Sequence, residues 1–176
     1  IAHDKAVHYY YDEVEDKIIF AGGNIDIRGE ADKVHNVDLY SSTYIYFYGG
    51  NLNDNINMIG GYNNYVYGGN VNDTLNSSTS TPYAHLYGES GEDTIYINSS
   101  QGYAYGGVDN DTIYVNNTNC QICDGQEGDD SYYINKTTSS IDNYGDNVYY
   151  IDTSSITLSA GAGNDTFYIT GNNNNI

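Results

Sequence analysis

Residues 106–114 read GGVDNDTIY: a glycine, four turn residues, the aspartate Asp111, and then an outward, an apolar and another outward position. The same arrangement returns as GGNLNDNIN from Gly49, GGNVNDTLN from Gly68, GESGEDTIY from Gly88, GQEGDDSYY from Gly125 and AGAGNDTFY from Ala160. The aspartates Asp54, Asp73, Asp93, Asp111, Asp130 and Asp165 follow one another by 19, 20, 18, 19 and 35 residues, and Asp146 in NYGDNVYYI is expected to fill the long gap. One acidic turn thus recurs about every 19 residues. Self-similarity at such a period marks a stack of coils, none of which buries a core alone.

The segments between the turns alternate. Ahead of each acidic turn runs a short stretch ending in glycine: YIYFYG to Gly49, YVYG to Gly68, AHLYG to Gly88, YAYG to Gly106, CQICDG to Gly125 and ITLSAG before the final copy. Successive strand side chains point to opposite faces, so Phe47, Val66, Leu86, Ala104, Cys123 and Leu158 are expected inward. After the aspartate, Ile56, Leu75, Ile95, Ile113, Tyr132 and Phe167 are expected inward, with Ile97, Val115, Ile134 and Ile169 two residues on. The outward positions form columns: Tyr48, Tyr67, Tyr87 and Tyr105; beside it Tyr46, Tyr65, His85 and Tyr103; and on the opposite strand Tyr96, Tyr114, Tyr133, Tyr149 and Tyr168. The expected fold is all-β, a flattened parallel β-roll or β-solenoid with about 18–20 residues and two short strands per coil.

An acidic glycine-rich turn suits one kind of ligand. Calcium takes six to eight oxygen ligands, so a turn that binds it must offer main-chain carbonyls and add carboxylates. Glycine permits the backbone angles and the close approach. Neighbouring coils lie about 4.8 Å apart, so successive aspartates face each other, each pair costing about 1 kcal/mol in water and several times more near a protein surface. A cation between coils turns that repulsion into coordination.

The nonapeptide resembles G-G-x-G-x-D-x-U-x, the calcium-binding repeat of the RTX family. That resemblance implies a parallel β-roll in which each ion is shared by equivalent turns of adjacent coils. It assigns carboxylate ligands to Asp54, Asp73, Asp93, Asp111, Asp130 and Asp165, and main-chain oxygens to Gly49, Gly68, Gly88, Gly106, Gly125 and Gly161. The fourth position, glycine in the family pattern, is Leu52, Val71 and Asp109 in three copies, which departs from that pattern and weakens the individual sites. The competing reading is a set of tight turns with a solvated acidic edge. The other turn of each coil reads NSSTSTP, NSSQG, NNTN and NKTTSS, polar and free of an acid column. Calcium is therefore expected along one edge only, which is similar to the RTX variety with about 19 residues and one calcium turn per coil, found in bacterial surface adhesins and their ice-binding segments.

Composition narrows the partners. The 24 acids against five bases give a net charge of −19, and residues 34–176 carry one base, Lys136, against 16 acids. Such a field repels nucleic acid and anionic membranes and attracts divalent cations. No apolar run approaches the roughly 18 residues that span a bilayer. Without a start methionine or signal pattern, the chain reads as a mature or excised segment. Residues 1–45 are less regular, with Asp16 and Asp32 as degenerate equivalents of the repeated aspartate, and are expected to form irregular N-terminal coils or a cap ahead of one continuous solenoid domain at 46–176.

Other chemistry is thin. His3, Asp4 and His8 lack the spacing of a transition-metal site. Cys120 and Cys123, taken as residues of one extended strand, would have Cα atoms about 10 Å apart, too far for a disulfide. Asn-x-Ser/Thr triplets at Asn76, Asn98, Asn116 and Asn135 arise readily in a chain this rich in those residues. No carboxylate pair or Ser/His/Asp set stands apart from the repeated column, so no enzyme is expected. The expected function is structural: a calcium-folded segment of a secreted or cell-surface protein, such as an adhesin stalk, surface-layer module or extracellular filament subunit. The alternatives are a module that binds a glycan, ice or its own copies through the tyrosine face, and an accessory domain of a polysaccharide-modifying enzyme.

Overall fold

The computed structural model describes residues 8–12, 17–22, 25–29, 33–41, 43–116, 120–136 and 144–176. In chain order the strands are β1 (His8–Asp12), β2 (Lys17–Gly22), β3 (Ile25–Arg28), β4 (Asn36–Ser41), β5 (Ile45–Gly50), β6 (Asn55–Gly60), β7 (Tyr65–Asn70) and β8 (Thr74–Ser77). They continue as β9 (His85–Ser90), β10 (Thr94–Ile97), β11 (Tyr103–Val108), β12 (Thr112–Val115), β13 (Ile122–Glu127), β14 (Ser131–Ile134), β15 (Val148–Ile151) and β16 (Thr166–Ile169).

The chain winds between two sheets. The long one has the order β1-β2-β4-β6-β8-β10-β12-β14-β15-β16 and the short one β13-β11-β9-β7-β5-β3. All pairings from β2 onward are parallel, while β1 lies antiparallel to β2. The result is a parallel β-solenoid of about 19 residues per coil, whose regular stacking reaches back to β2, ahead of residue 46. ITLSAG forms no strand; its surroundings carry only the isolated bridges Thr157 to Asn175 and Tyr144 to Ala162.

Alternation places the core as expected. Phe47, Val66, Leu86, Ala104 and Cys123 align rung by rung on the short sheet, and Ile56, Leu75, Ile95, Ile113 and Tyr132 on the long one, all buried. Leu158 is buried as well. Ile169 departs from expectation: at the end of the stack it has no further coil to cover it and is 44% exposed.

One register differs. Val148 pairs with Ser131, so Asn147, not Asp146, stands in line with Asp130. The same shift turns Tyr149 inward, stacked between Tyr132 and Phe167, and puts Tyr150 in the outward column. Cys120 and Cys123 also differ from expectation and form a disulfide with Cα atoms 6.4 Å apart. Cys120 precedes β13, so the chain between the two is turned rather than extended. Asp38 is nearly buried, accepts from Asn57 Nδ2 at 2.9 Å and pairs with Lys17 Nζ at 3.1 Å.

Candidate functional site

Two ladders of side-chain acceptors follow the glycine-rich edge. In the inner ladder each main-chain N–H donates to the Oδ1 of its counterpart on the next coil: Asp54 to Asp73 at 2.7 Å, Asp73 to Asp93 at 2.6 Å, Asp93 to Asp111 and Asp111 to Asp130 at 2.8 Å. The row continues from Asp130 to Asn147 at 2.7 Å and from Asn147 to Asp165 at 3.1 Å. The outer ladder, one residue earlier in each turn, runs with opposite polarity. There the N–H of Glu92 donates to Asn72 Oδ1, that of Asp129 to Asn110, that of Asp146 to Asp129 and that of Asn164 to Asp146.

The inner aspartates are not a solvated edge. Asp54, Asp73, Asp93, Asp111 and Asp130 are at most 3% exposed. In each of these five, Oδ1 accepts the main-chain N–H and the buried Oδ2 has no hydrogen-bond partner. The glycine at the first turn position explains how the carboxylate fits. A Cβ on Gly49, Gly68, Gly88, Gly106 or Gly125 would collide with the Oδ2 of its own coil's aspartate. On the first four it would also meet the carbonyl oxygen of the next coil's glycine. An orphaned carboxylate oxygen and a main-chain carbonyl oxygen therefore approach the same space on successive coils.

The turn backbone is demanding at two further positions. Gly69 and Gly107 at the second position have φ of 121° and 134°, and Glu89 and Gln126 take their place with φ of 81° and 73°. At the fourth, Gly91 and Gly128 are positive, and so are Val71 at 63° and Asp109 at 81°. Val71, Glu89, Asp109 and Gln126 thus adopt positive φ without glycine, at a steric cost, whereas Gly50 and Leu52 in the first copy do not.

Electrostatics follow from burial. Desolvation pushes the carboxyl of Asp73 up to about 7, Asp93 to about 7, Asp111 to about 8 and Asp130 to about 6, and raises Asp54. The N–H donated by the preceding coil opposes this shift, and neighbouring carboxylates such as Asp109 and Glu89 add to it. Burial thus favours a proton or a cation at Oδ2 over a bare carboxylate. The opposite edge is different: buried Asn64 is neutral, its Oδ1 accepting from Ile45 N and its Nδ2 donating to Gly60 O.

The ends of the row were not expected from the sequence. His35 occupies the aspartate position on the coil before Asp54, and both its N–H and its Nδ1 lie within hydrogen-bond distance of Asp54 Oδ1, at 2.6 and 3.0 Å. At the other end Asn147 inserts an amide between Asp130 and Asp165. Asp165 is half-buried, Gly161 is exposed at the second turn position, and Ala160 stands at the first, so this last copy lacks the glycine cradle. Two alignments carried the signal: HNVDL at 35–39 matches DNINM at 54–58, and NVYYI at 147–151 matches DSYYI at 130–134. Asp16, Asp32, His3 and Asp4 lie outside the described residues, as does the side chain of His8.

Among the described residues no three His, Cys, Asp or Glu side chains converge as a metal-holding group. The aspartates contribute one carboxylate per coil, so any cation here must take much of its coordination from main-chain carbonyls. No protein-family model, curated protein or solved structure matches this chain.

Proposed function

We propose that this chain is a structural calcium-binding repeat module of the RTX kind, displayed outside the cell as an adhesin stalk, surface-layer module or filament subunit, and that calcium folds and stiffens it. The observation that carries the reading is the row of five buried, partnerless Oδ2 atoms on consecutive coils. A hard, oxygen-seeking divalent cation is the partner such a row calls for. The residues that would hold it are Asp54, Asp73, Asp93, Asp111 and Asp130 with the carbonyl oxygens of Gly68, Gly88, Gly106 and Gly125. Bound there, calcium would neutralise facing carboxylates and tie adjacent coils together. The row is bounded by His35 and Asn147, so the ions are assigned to the four gaps between these five aspartates.

Two features support an extracellular setting, where calcium is plentiful. The chain carries −19, and the Cys120–Cys123 disulfide suits an oxidising compartment. No catalytic step is assigned to the molecule.

The test is circular dichroism and thermal melting in excess chelator, in millimolar calcium and in millimolar magnesium. Calcium is expected to produce the β spectrum and a large rise in Tm, each filled site adding about 2.7 kcal/mol at a hundredfold excess over its Kd. Magnesium, which demands a near-octahedral set and dehydrates reluctantly, is expected to do much less. An unchanged spectrum and Tm in chelator would refute the proposal.

A further inference from the structure

The outward aromatic columns are continuous stacks. Tyr48, Tyr67, Tyr87 and Tyr105 lie with ring centroids 4.7–4.9 Å apart, and Tyr46, Tyr65, His85 and Tyr103 at 4.2–4.7 Å. On the long sheet Tyr96, Tyr114, Tyr133, Tyr150 and Tyr168 repeat every 4.6–5.0 Å with planes within 13° of parallel. In such a stack each ring covers its neighbours' faces, and solvent meets ring edges and hydroxyls. The edge is the positive side of the aromatic quadrupole. A column of this kind attracts oxygen lone pairs and lacks the open faces that hold cations.

At one place a column borders a groove with a polar wall. Tyr133, Tyr150 and Tyr168 line one side of a shallow groove of about 300 Å3, Asn135, Asp152 and Thr170 line the other, and Ile151 lies between them. The polar wall is held in position: Thr170 Oγ1 donates to Asp152 Oδ1 at 2.6 Å, and Asn135 Nδ2 donates to Asn116 Oδ1 at 2.8 Å. Tyr150 and Tyr168 are 39% and 55% exposed.

We propose that this groove binds a neutral, unbranched polysaccharide lying along the solenoid axis. Three observations favour that occupant. The walls offer phenolic hydroxyls, an amide, a carboxylate and a threonine hydroxyl, the donors and acceptors that sugar hydroxyls pair with, beside the apolar ring carbons of the tyrosines. The wall pairs Tyr133/Asn135, Tyr150/Asp152 and Tyr168/Thr170 recur at each coil, with ring spacings of 4.7 and 5.0 Å, comparable to the advance of one ring in an extended polysaccharide. The lining contains an acid and no base, on a chain of net charge −19, which disfavours anionic glycans.

The groove lies on the outer face of the long sheet, so the inference stands apart from the calcium proposal. The experiment is an NMR titration of the folded protein, in calcium buffer, with cellohexaose, xylohexaose, chitohexaose and mannohexaose, and with hexagalacturonate as the anionic probe. At least one neutral hexasaccharide is expected to shift the backbone signals of 133–135, 150–152 and 168–170, and its disaccharide to bind more weakly. The double change Tyr150→Ser and Tyr168→Ser is expected to weaken binding by roughly tenfold or more. Tyr67→Ser with Tyr87→Ser, on the other sheet, is expected to leave the affinity unchanged. Should the first double variant fail to fold, Asp152→Ala with Thr170→Ala, both exposed, carries the same test. The proposal is overturned by no shift with any neutral hexasaccharide at millimolar concentration, by tighter binding of hexagalacturonate, or by equal affinity in parent and groove variants. It is also overturned if the groove signals respond instead to protein concentration, since a second copy would then be the occupant.

Discussion

An aspartate whose Oδ1 accepts a main-chain N–H while its buried Oδ2 accepts nothing is poised between two neutralised states, protonated and metal-bound. Asn147 shows a third solution, since its Oδ1 takes the same bond from Asp130 N and its Nδ2 removes the charge. Asp111→Asn is therefore expected to raise the Tm of the metal-free protein while lowering calcium stoichiometry, because it removes an unpaired buried acceptor worth about 1–3 kcal/mol. Asp111→Ala, which also deletes the inter-coil bond at 2.8 Å, should lower both. Melting in chelator and calorimetric titration measure the two effects, and an Asn variant no more stable than the Ala variant would count against the ladder. The pH dependence follows from the raised carboxyls. Asp73, Asp93, Asp111 and Asp130 titrate between about 6 and 8 when folded, against about 3.9 unfolded. Their contribution to metal-free stability is fully present below about pH 4 and is lost as pH rises through 6 to 8. Urea melts in chelator should show a higher midpoint at pH 5 than at pH 8.5. Calcium affinity should rise over the same window as protons leave.

At the scale of the element, most of the architecture was legible because strand alternation and the 19-residue period fall in phase. A buried position such as Ile95 and an outward one such as Tyr96 are separated by one residue on every coil, so the sheet faces could be assigned before the coils were stacked. The phase was lost where loop length changes, between β14 and β15, and the acid of Asp146 drew the alignment one residue early. The repeated YYI of β14 and β15 held the correct register, which Asn147 obscured because an amide does not look like a carboxylate in a pattern of acids. Within the site, the sequence showed which aspartates repeat. It did not show that they point inward with one oxygen unpaired, since that depends on the glycine carbonyl of the next coil. The disulfide is hidden in the sequence because an extended CQIC would hold the two cysteines apart, whereas the strand begins only at Ile122 and leaves Cys120 in the turn before it. The corrected register has a measurable consequence. Tyr149→Ala should cost about 3–5 kcal/mol, as deletion of a buried aromatic does. Tyr150→Ala, outward in the adjacent position, should cost about 0.2–1 kcal/mol for its cross-strand pairs. Equal destabilisation in chemical denaturation would restore the original alignment.

For the whole molecule, the relevant scale is the length of the row. A charge of −19 on 176 residues resists compaction, and ordinary salt screens only what solvent reaches. Molar sodium chloride is therefore expected to recover only part of the Tm that millimolar calcium restores, because the five Oδ2 atoms are buried. Full recovery by sodium chloride would reduce the calcium response to bulk screening. The stack also has unequal ends: β1 lies antiparallel over β2 at the start, whereas β16 leaves Ile169 largely uncovered. The central claim is that cations occupy the gaps of the inner ladder between His35 and Asn147. It is tested most directly by anomalous diffraction from crystals grown in calcium. The account predicts a line of four peaks, one in each gap from Asp54 to Asp130, with none beyond Asn147. Peaks confined to the outer acids, or a fully ordered ladder with no peak in these gaps, would contradict it.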